Sequence, residues 1–135
     1  MNLRQLTAGQ LMTAQVVTIE AHATLRVAAQ KLVTNHIHCL LVPAHETGGS
    51  TGIVTTKDIV QVLSDGAPSL LDRLMVRDVM TTPCVSVQKD FSVHDCIKLM
   101  RISGVRSAPV LDGVELVGLL SFTDVIKLAV ADGST

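Results

Sequence analysis

Tryptophan and tyrosine are absent from this 135-residue chain, and phenylalanine occurs only twice. Single-stranded nucleic acid stacks its bases on aromatic faces, so most of the platforms for that kind of binding are missing. Charge of one sign is missing too: 11 Lys and Arg stand against 12 Asp and Glu, for a formal net charge of -1. No broad positive field draws the chain to a phosphate backbone, and Lys98, Arg101 and Arg106 make the only loose basic cluster. We therefore expect no nucleic-acid partner. Apolar runs break at Asp, Lys, His or Gly well short of the roughly 18 residues that mark a membrane span. The amino-terminal stretch also lacks a charged head followed by an apolar core. A cytoplasmic chain without a membrane partner is the expectation. The three cysteines, Cys39, Cys84 and Cys96, have no metal-like spacing and leave an odd one out. Free thiols in a reducing compartment fit this, used for packing, with Cys84 the most exposed by its loop position. Only the tail Ala131-Asp132-Gly133-Ser134-Thr135 has a composition suited to disorder.

What is abundant is apolar surface. Hydrophobic residues make up 47% of the chain and mean hydropathy is +0.44, so much must be buried internally or against a partner. The organising stretch is Gly118-Leu119-Leu120-Ser121-Phe122-Thr123-Asp124. It reads as a strand turning straight into a helix whose apolar stripe is Val125, Ile126, Leu128 and Ala129. Ser121 and Asp124 sit three apart at the junction. The same corner occurs earlier as Gly52-Ile53-Val54-Thr55-Thr56-Lys57-Asp58.

The rest of the chain repeats around these corners. Met12-Thr13 aligns with Met80-Thr81 at an offset of 68, as do Val17 with Val85, Leu25 with Val93, Leu32 with Met100 and Val42 with Val110. After the hairpin the offset is 66, aligning Gly52 with Gly118 and Asp58 with Asp124. The two residues drop out of a loop, where a length change costs least. Each copy reads as a lead-in helix (residues 3–12 and 70–80), a short strand (16–19 and 85–87), a helix capped by Thr24 or by Ser92 in a capping box with Asp95, two further strands, and a closing helix. Leu25, Ala28, Ala29 and Leu32 face inward in one copy, and Val93, Cys96, Ile97 and Met100 in the other. Asp112-Gly113 is a tight turn. The expected fold class is α/β: two pseudo-symmetric repeats, residues 1–66 and 67–135, each a small three-stranded sheet packed with two helices. A unit of roughly 60 residues leaves an apolar face that a second copy would cover.

Val79-Met80-Thr81, then Val105-Arg106-Ser107-Ala108-Pro109-Val110, then Gly118 to Asp124, resembles the CBS domain. Leu11-Met12-Thr13, His38-Cys39-Leu40-Leu41-Val42 and Gly52 to Asp58 give a less complete first copy. The resemblance is to a tandem CBS pair, the Bateman module, over residues 8 to 130. It implies a non-enzymatic regulatory module, often a disc-like homodimer, that binds an adenosine-containing ligand in clefts between its repeats. AMP, ADP and ATP come first, with S-adenosylmethionine, NAD or a dinucleotide messenger less often. It further implies a regulated partner protein. In the family, the Asp of the Ser/Thr-x-x-Asp corner meets ribose hydroxyls, the Ser/Thr helps hold ribose or phosphate, backbone after the Met-Thr opening receives adenine, and a basic residue at the second strand meets phosphate.

Chemistry supports those roles and also supplies plainer ones. Asp124 and Asp58 can accept from ribose hydroxyls beside a helix start, yet Ser121-x-x-Asp124 and Thr55-x-x-Asp58 are equally capping boxes. Ser121 and Thr55 can cap and touch a ligand together, and the N–H groups there suit a phosphate. Thr123 adds a hydroxyl where the other copy has Lys57, a point charge for phosphate or a solvated surface lysine. Arg106 can clamp phosphate oxygens or pair with an Asp; its counterpart His38 attracts phosphate less. Thr82-Pro83-Cys84-Val85, and the aligned Gln15 and Val16, can receive an adenine through backbone groups or be simple loop entries. Without aromatic stacking, micromolar affinity, about 8 kcal/mol, is expected. No nucleophile, base or metal set converges, so neither catalysis nor a cofactor beyond the nucleotide ligand is expected. The competing reading is a ligand-free structural homodimerisation module whose corners are only helix caps.

Overall fold

The computed structural model describes residues 2–132. Among the described residues, eight helices and five strands run in the order α1 (Ala8–Leu11), α2 (Leu25–Asn35), β1 (Cys39–Val42), α3 (Ala44–Thr47), β2 (Gly52–Thr55), α4 (Thr56–Asp65), α5 (Leu70–Arg73), α6 (Val76–Val79), β3 (Val87–Gln88), α7 (Val93–Ser103), β4 (Ser107–Asp112), β5 (Glu115–Ser121) and α8 (Phe122–Asp132). The mixed α/β class expected from the sequence is observed.

Local sequence explains the two long inner helices. The Thr24 hydroxyl accepts the Val27 N–H at 3.3 Å to start α2, and the Ser92 hydroxyl accepts the Asp95 N–H at 3.1 Å to start α7. Asp95 does not complete a capping box; its carboxylate lies 3.4 Å from His94 Nδ1 instead. Leu25, Ala28 and Leu32 are buried on α2, and Val93, Cys96 and Met100 on α7. Burying one such Leu or Met contributes about 2 kcal/mol. Ala29 and Ile97 are half-buried at the margins of these faces.

The chain forms two compact units, Val17–Cys84 and Met1–Val16 with Val85–Thr135. This partition differs from that of the sequence repeats. The lead-in of each repeat belongs to the unit that holds the other repeat's sheet and helices.

In the Val17–Cys84 unit, β1 and β2 pair antiparallel, Leu40 opposite Val54 and Val42 opposite Gly52. The core gathers Ile19, Leu25, Leu32, Leu40, Val42, Val54, Ile59 and Val76. The lead-in returns along β2 through reciprocal bonds between Ile53 and Thr81, 3.0 and 2.9 Å. The expected strand over 16–19 is reduced to one parallel bridge, Thr18 with Leu41. Its backbone meets β1 only through Ile19 N–H to Leu41 (2.9 Å) and Leu41 N–H to Val17 (3.1 Å), so this sheet has two strands plus a bridge.

The other unit has the full three-stranded sheet, ordered β3-β4-β5, with β3 parallel and β5 antiparallel to β4. Gly113 takes φ 66° in the turn between β4 and β5, the left-handed region that favours glycine. Its core holds Ala8, Val87, Cys96, Met100, Ala108, Val110 and Leu120. Thr13 and Leu119 exchange backbone bonds, both 2.9 Å, as Thr81 and Ile53 do.

Several local expectations are corrected. The lead-in helices are short: α1 has one turn, and residues 70–80 break into α5 and α6. Met12 and Met80 are therefore C-cap residues of single turns, each partly buried against the core of its unit. The segment between β1 and β2 carries a single helical turn, α3. α8 has no buried residue; Ile126 is 62% exposed and Val130 76%. Ala131 and Asp132 form the last turn of α8, and Gly133 to Thr135 lie outside the described residues.

Candidate functional site

Both strand–helix corners are closed by the same local chemistry. At β5–α8, Asp124 Oδ2 accepts the Ser121 N–H at 2.8 Å and the Ser121 hydroxyl at 3.0 Å, while Ser121 Oγ accepts the Asp124 N–H at 3.2 Å. At β2–α4, Asp58 Oδ2 accepts the Thr55 N–H at 2.8 Å and its hydroxyl at 3.0 Å, and Thr55 Oγ1 accepts the Asp58 N–H at 3.3 Å. These are capping boxes, so the plainer reading of the two corners is realised in the fold. Each box occupies only Oδ2.

The second oxygens differ. Asp124 Oδ1 accepts the Thr13 hydroxyl at 3.2 Å, from a residue 111 positions away. Asp58 Oδ1 carries no hydrogen bond among the described residues. Both carboxylates are half-buried, so an outward oxygen at such a corner remains reachable.

The residues before β1 and β4 complete the corners through their backbones. The Arg106 carbonyl accepts the Phe122 N–H at 3.0 Å, and the His38 carbonyl accepts the Thr56 N–H at 2.8 Å and the Thr56 hydroxyl at 3.0 Å. The chain thus carries, twice over, a lead-in, sheet and capped helix in one order. Residues 8–65 and 76–131 each match the CBS domain family.

The chain belongs to the CBS domain family.

As a tandem CBS pair it is similar to a protein of Methanopyrus kandleri at 27% identity over 128 residues, covering 93% of this chain and 64% of that one. Among solved structures, the hexameric CBS-CP12 protein from bloom-forming cyanobacteria is 32% identical, with a TM-score of 0.82 over 90% of this chain and 66% of that chain. The CBS domain pair of protein MJ0100, in complex with 5′-methylthioadenosine and S-adenosyl-L-methionine, shares the fold at 20% identity and a TM-score of 0.79, covering 93% and 97% of the two chains.

The remaining candidates fall into two groups in this CBS pair. With Asp124 and Ser121 come exposed Thr123 on the first turn of α8, exposed Arg106, and exposed Gln15 with half-buried Val16, two and three residues past Thr13. With Asp58 and Thr55 come exposed Lys57 and His38, and the segment Thr82, Pro83 and Cys84. That segment is held by the Thr82 hydroxyl donating to the Ser50 carbonyl at 3.4 Å and the Cys84 N–H donating to the Thr51 carbonyl at 3.3 Å. Val85 begins the other compact unit, so the run 82–85 is divided. Among the described residues neither Arg106 nor Lys57 has an ion-pair partner, leaving both cations available to an anion. Cys84 is half-buried, as Cys39 is, and burial pushes its thiol up to about 11. At neutral pH it is a protonated packing group, and Cys96, fully buried, is likewise pushed up to about 11 by burial. Among the described residues no three His, Cys, Asp or Glu side chains cluster to hold a metal, and no helix is long and apolar enough to cross a membrane.

Two features escaped the sequence reading. A Cβ added at Gly118 would lie 2.4 Å from Met12 Sδ and 2.9 Å from the Thr13 carbonyl, so glycine here admits the lead-in chain to β5. Gly52 faces Met80 in the same way, more loosely at 3.1 Å. The signal was present as a glycine and a methionine duplicated in register. The Thr13–Asp124 contact had no local signal at all.

Proposed function

We propose that this CBS pair is a regulatory module that binds an adenosine-containing small molecule, AMP, ADP or ATP foremost, at its strand–helix corners and passes the change to a partner protein. The observation that carries the reading is the duplicated corner, where a capped helix start holds a carboxylate with one oxygen outside its own cap. An anionic oxygen of that kind accepts from ribose hydroxyls, and the N–H groups of the helix start attract phosphate. In this reading Asp58 and Asp124 take ribose, with Thr55 and Ser121 beside them. Arg106 and Thr123, or His38 and Lys57, meet phosphate, while Gln15 and Val16, and Thr82 to Val85, line the base. Exposed Val60 and Leu63 on α4 and Ile126 and Val130 on α8 support self-association of the module as a homodimer.

The realised capping boxes favour a second reading, a ligand-free homodimerisation module. Calorimetric titration separates the two. Protein stripped of carried-over ligand is titrated with AMP, ADP, ATP, S-adenosyl-L-methionine and 5′-methylthioadenosine. Micromolar binding to at least one is expected; silence from all of them leaves only the caps. Mass spectrometry of small molecules released on denaturation identifies any ligand that co-purifies, and sedimentation velocity tests the homodimer.

A further inference from the structure

The two corners have the same cap but unequal acceptor capacity. A carboxylate offers about four acceptor positions. At Asp58 the cap uses two, both on Oδ2, and Oδ1 is open. At Asp124 the cap uses two on Oδ2 and the Thr13 hydroxyl uses one on Oδ1. A vicinal diol donates two hydrogen bonds. Asp58 can accept both without losing any bond of its own, whereas Asp124 has a single position left.

We infer that Thr13 is a specificity-determining residue that competes with a ligand diol for Asp124, which makes Asp58 the stronger diol acceptor of the molecule. This rests on the proposed adenosyl-binding function. The competition is built into the backbone. Thr13 is fixed beside β5 by reciprocal 2.9 Å bonds with Leu119, which keeps its side chain next to the corner. Thr81 is fixed beside β2 in the same register, yet among the described residues its hydroxyl makes no hydrogen bond to Asp58. The difference between the corners is therefore one hydroxyl placement on otherwise matching frames. A diol entering at Asp124 displaces a hydrogen bond to a charged group, and because that bond is exposed the affinity penalty is at the low end for its kind, about tenfold. A ligand with one hydroxyl fits the remaining position and displaces nothing.

Calorimetric titration of the whole chain tests this, with AMP as the probe and S-adenosyl-L-methionine as a second probe bearing the same diol. The variants are Asp58→Asn, Asp124→Asn, Thr13→Val and Thr81→Val. Asparagine keeps a carbonyl oxygen for the cap and presents a donor outward, so the corner stays folded while its free acceptor is lost; circular dichroism checks this. Two phases of binding are expected. D58N weakens the tighter phase at least tenfold, and D124N affects only the weaker one. T13V tightens the weaker phase three- to tenfold for AMP and leaves 2′-deoxy-AMP unchanged, while T81V changes neither. Loss of the tighter phase in D124N with D58N unaffected overturns the inference. So does T13V that fails to tighten the binding of AMP or S-adenosyl-L-methionine. No heat from either probe with any variant overturns this inference, and the functional reading falls with it only if ADP, ATP and 5′-methylthioadenosine are silent as well.

Discussion

In the Val17–Cys84 unit the lead-in methionine stands off its glycine, with Met80 Sδ 3.1 Å from where a Gly52 Cβ would be. In the other unit Met12 Sδ closes to 2.4 Å of the equivalent point at Gly118, and the Thr13 carbonyl to 2.9 Å. The hydrogen-bond register is shared, Thr81 with Ile53 and Thr13 with Leu119. The closer approach goes with the longer strand, β5 of seven residues against β2 of four. It also goes with the extra Thr13–Asp124 hydrogen bond. Duplication has kept the backbone scheme of the corner and let its packing diverge, and the packing decides how many acceptors each aspartate has to spare.

The largest expected effect comes from filling the two glycines. Gly118→Ala puts a methyl against backbone as well as sulfur, so the lead-in must shift, at a cost of about 2 kcal/mol. Gly52→Ala meets first the tip of a flexible methionine and should cost about 1 kcal/mol or less. Urea unfolding of both variants measures the gap. Equal costs would mean that the tighter seating at Gly118 has no energetic weight, and the comparison would fail at its base.

A smaller contrast lies at the ends of the inner helices. α7 ends on Gly104 at φ 72°, while α2 ends on His36 at φ 53°, a left-handed conformation that L side chains adopt at a cost. A Cβ on Gly104 would meet nothing within 4 Å, so Gly104→Ala isolates the backbone penalty, about 1 kcal/mol. His36→Gly should stabilise by somewhat less, about 0.5 kcal/mol, because glycine also loosens the unfolded chain. Thermal denaturation reads both signs, and a destabilised His36→Gly would show that the imidazole contributes more than its backbone strain costs.

What could be read from sequence was what is local. Thr55-x-x-Asp58 and Ser121-x-x-Asp124 announce themselves because a cap is closed within three residues, and Leu25, Ala28 and Leu32 because a helix face recurs each turn. The segment Val16 to Ile19 was misjudged for the opposite reason. Its apolar, β-branched composition fits a strand, but pairing needs a partner along its length, and it meets β1 at one residue. The exchange of lead-ins is of the same kind, since nothing near Thr13 reports Leu119 or Asp124. Duplication alone gives a hint, in that a glycine and a methionine held in register twice must meet something. The ligand-facing roles proposed for Arg106, Lys57 and the Thr82 to Val85 run belong to a bound molecule, so no packing or hydrogen bond within the chain encodes them.

The smallest expected contrast is electrostatic, and it also separates the units. Arg26 on α2 grips Asp72 on α5 with two bonds, Nε to Oδ1 at 2.5 Å and Nη2 to Oδ2 at 3.0 Å. The aligned positions in the other unit are Arg4 and His94, which cannot form such a pair. The hydrogen bond from Arg26 holds the Asp72 carboxyl below its ordinary 3.8. A carboxylate with a lowered folded value contributes stability above its unfolded value and loses it as pH falls through the folded one. Acidification below about pH 4 should thus weaken one tie between α5 and α2 in the Val17–Cys84 unit, where buried Leu71 still holds α5, while the aligned positions of the other unit hold no such pair to lose. Both partners are exposed, so the effect on global stability is small and best seen locally. Carboxyl NMR titration should place the Asp72 midpoint below 3.8. Amide exchange over α5 should quicken between pH 4 and pH 2.5 in the wild type once corrected for intrinsic rates, and no further in Asp72→Asn. An ordinary midpoint for Asp72 would remove this difference between the units and leave their divergence to packing alone.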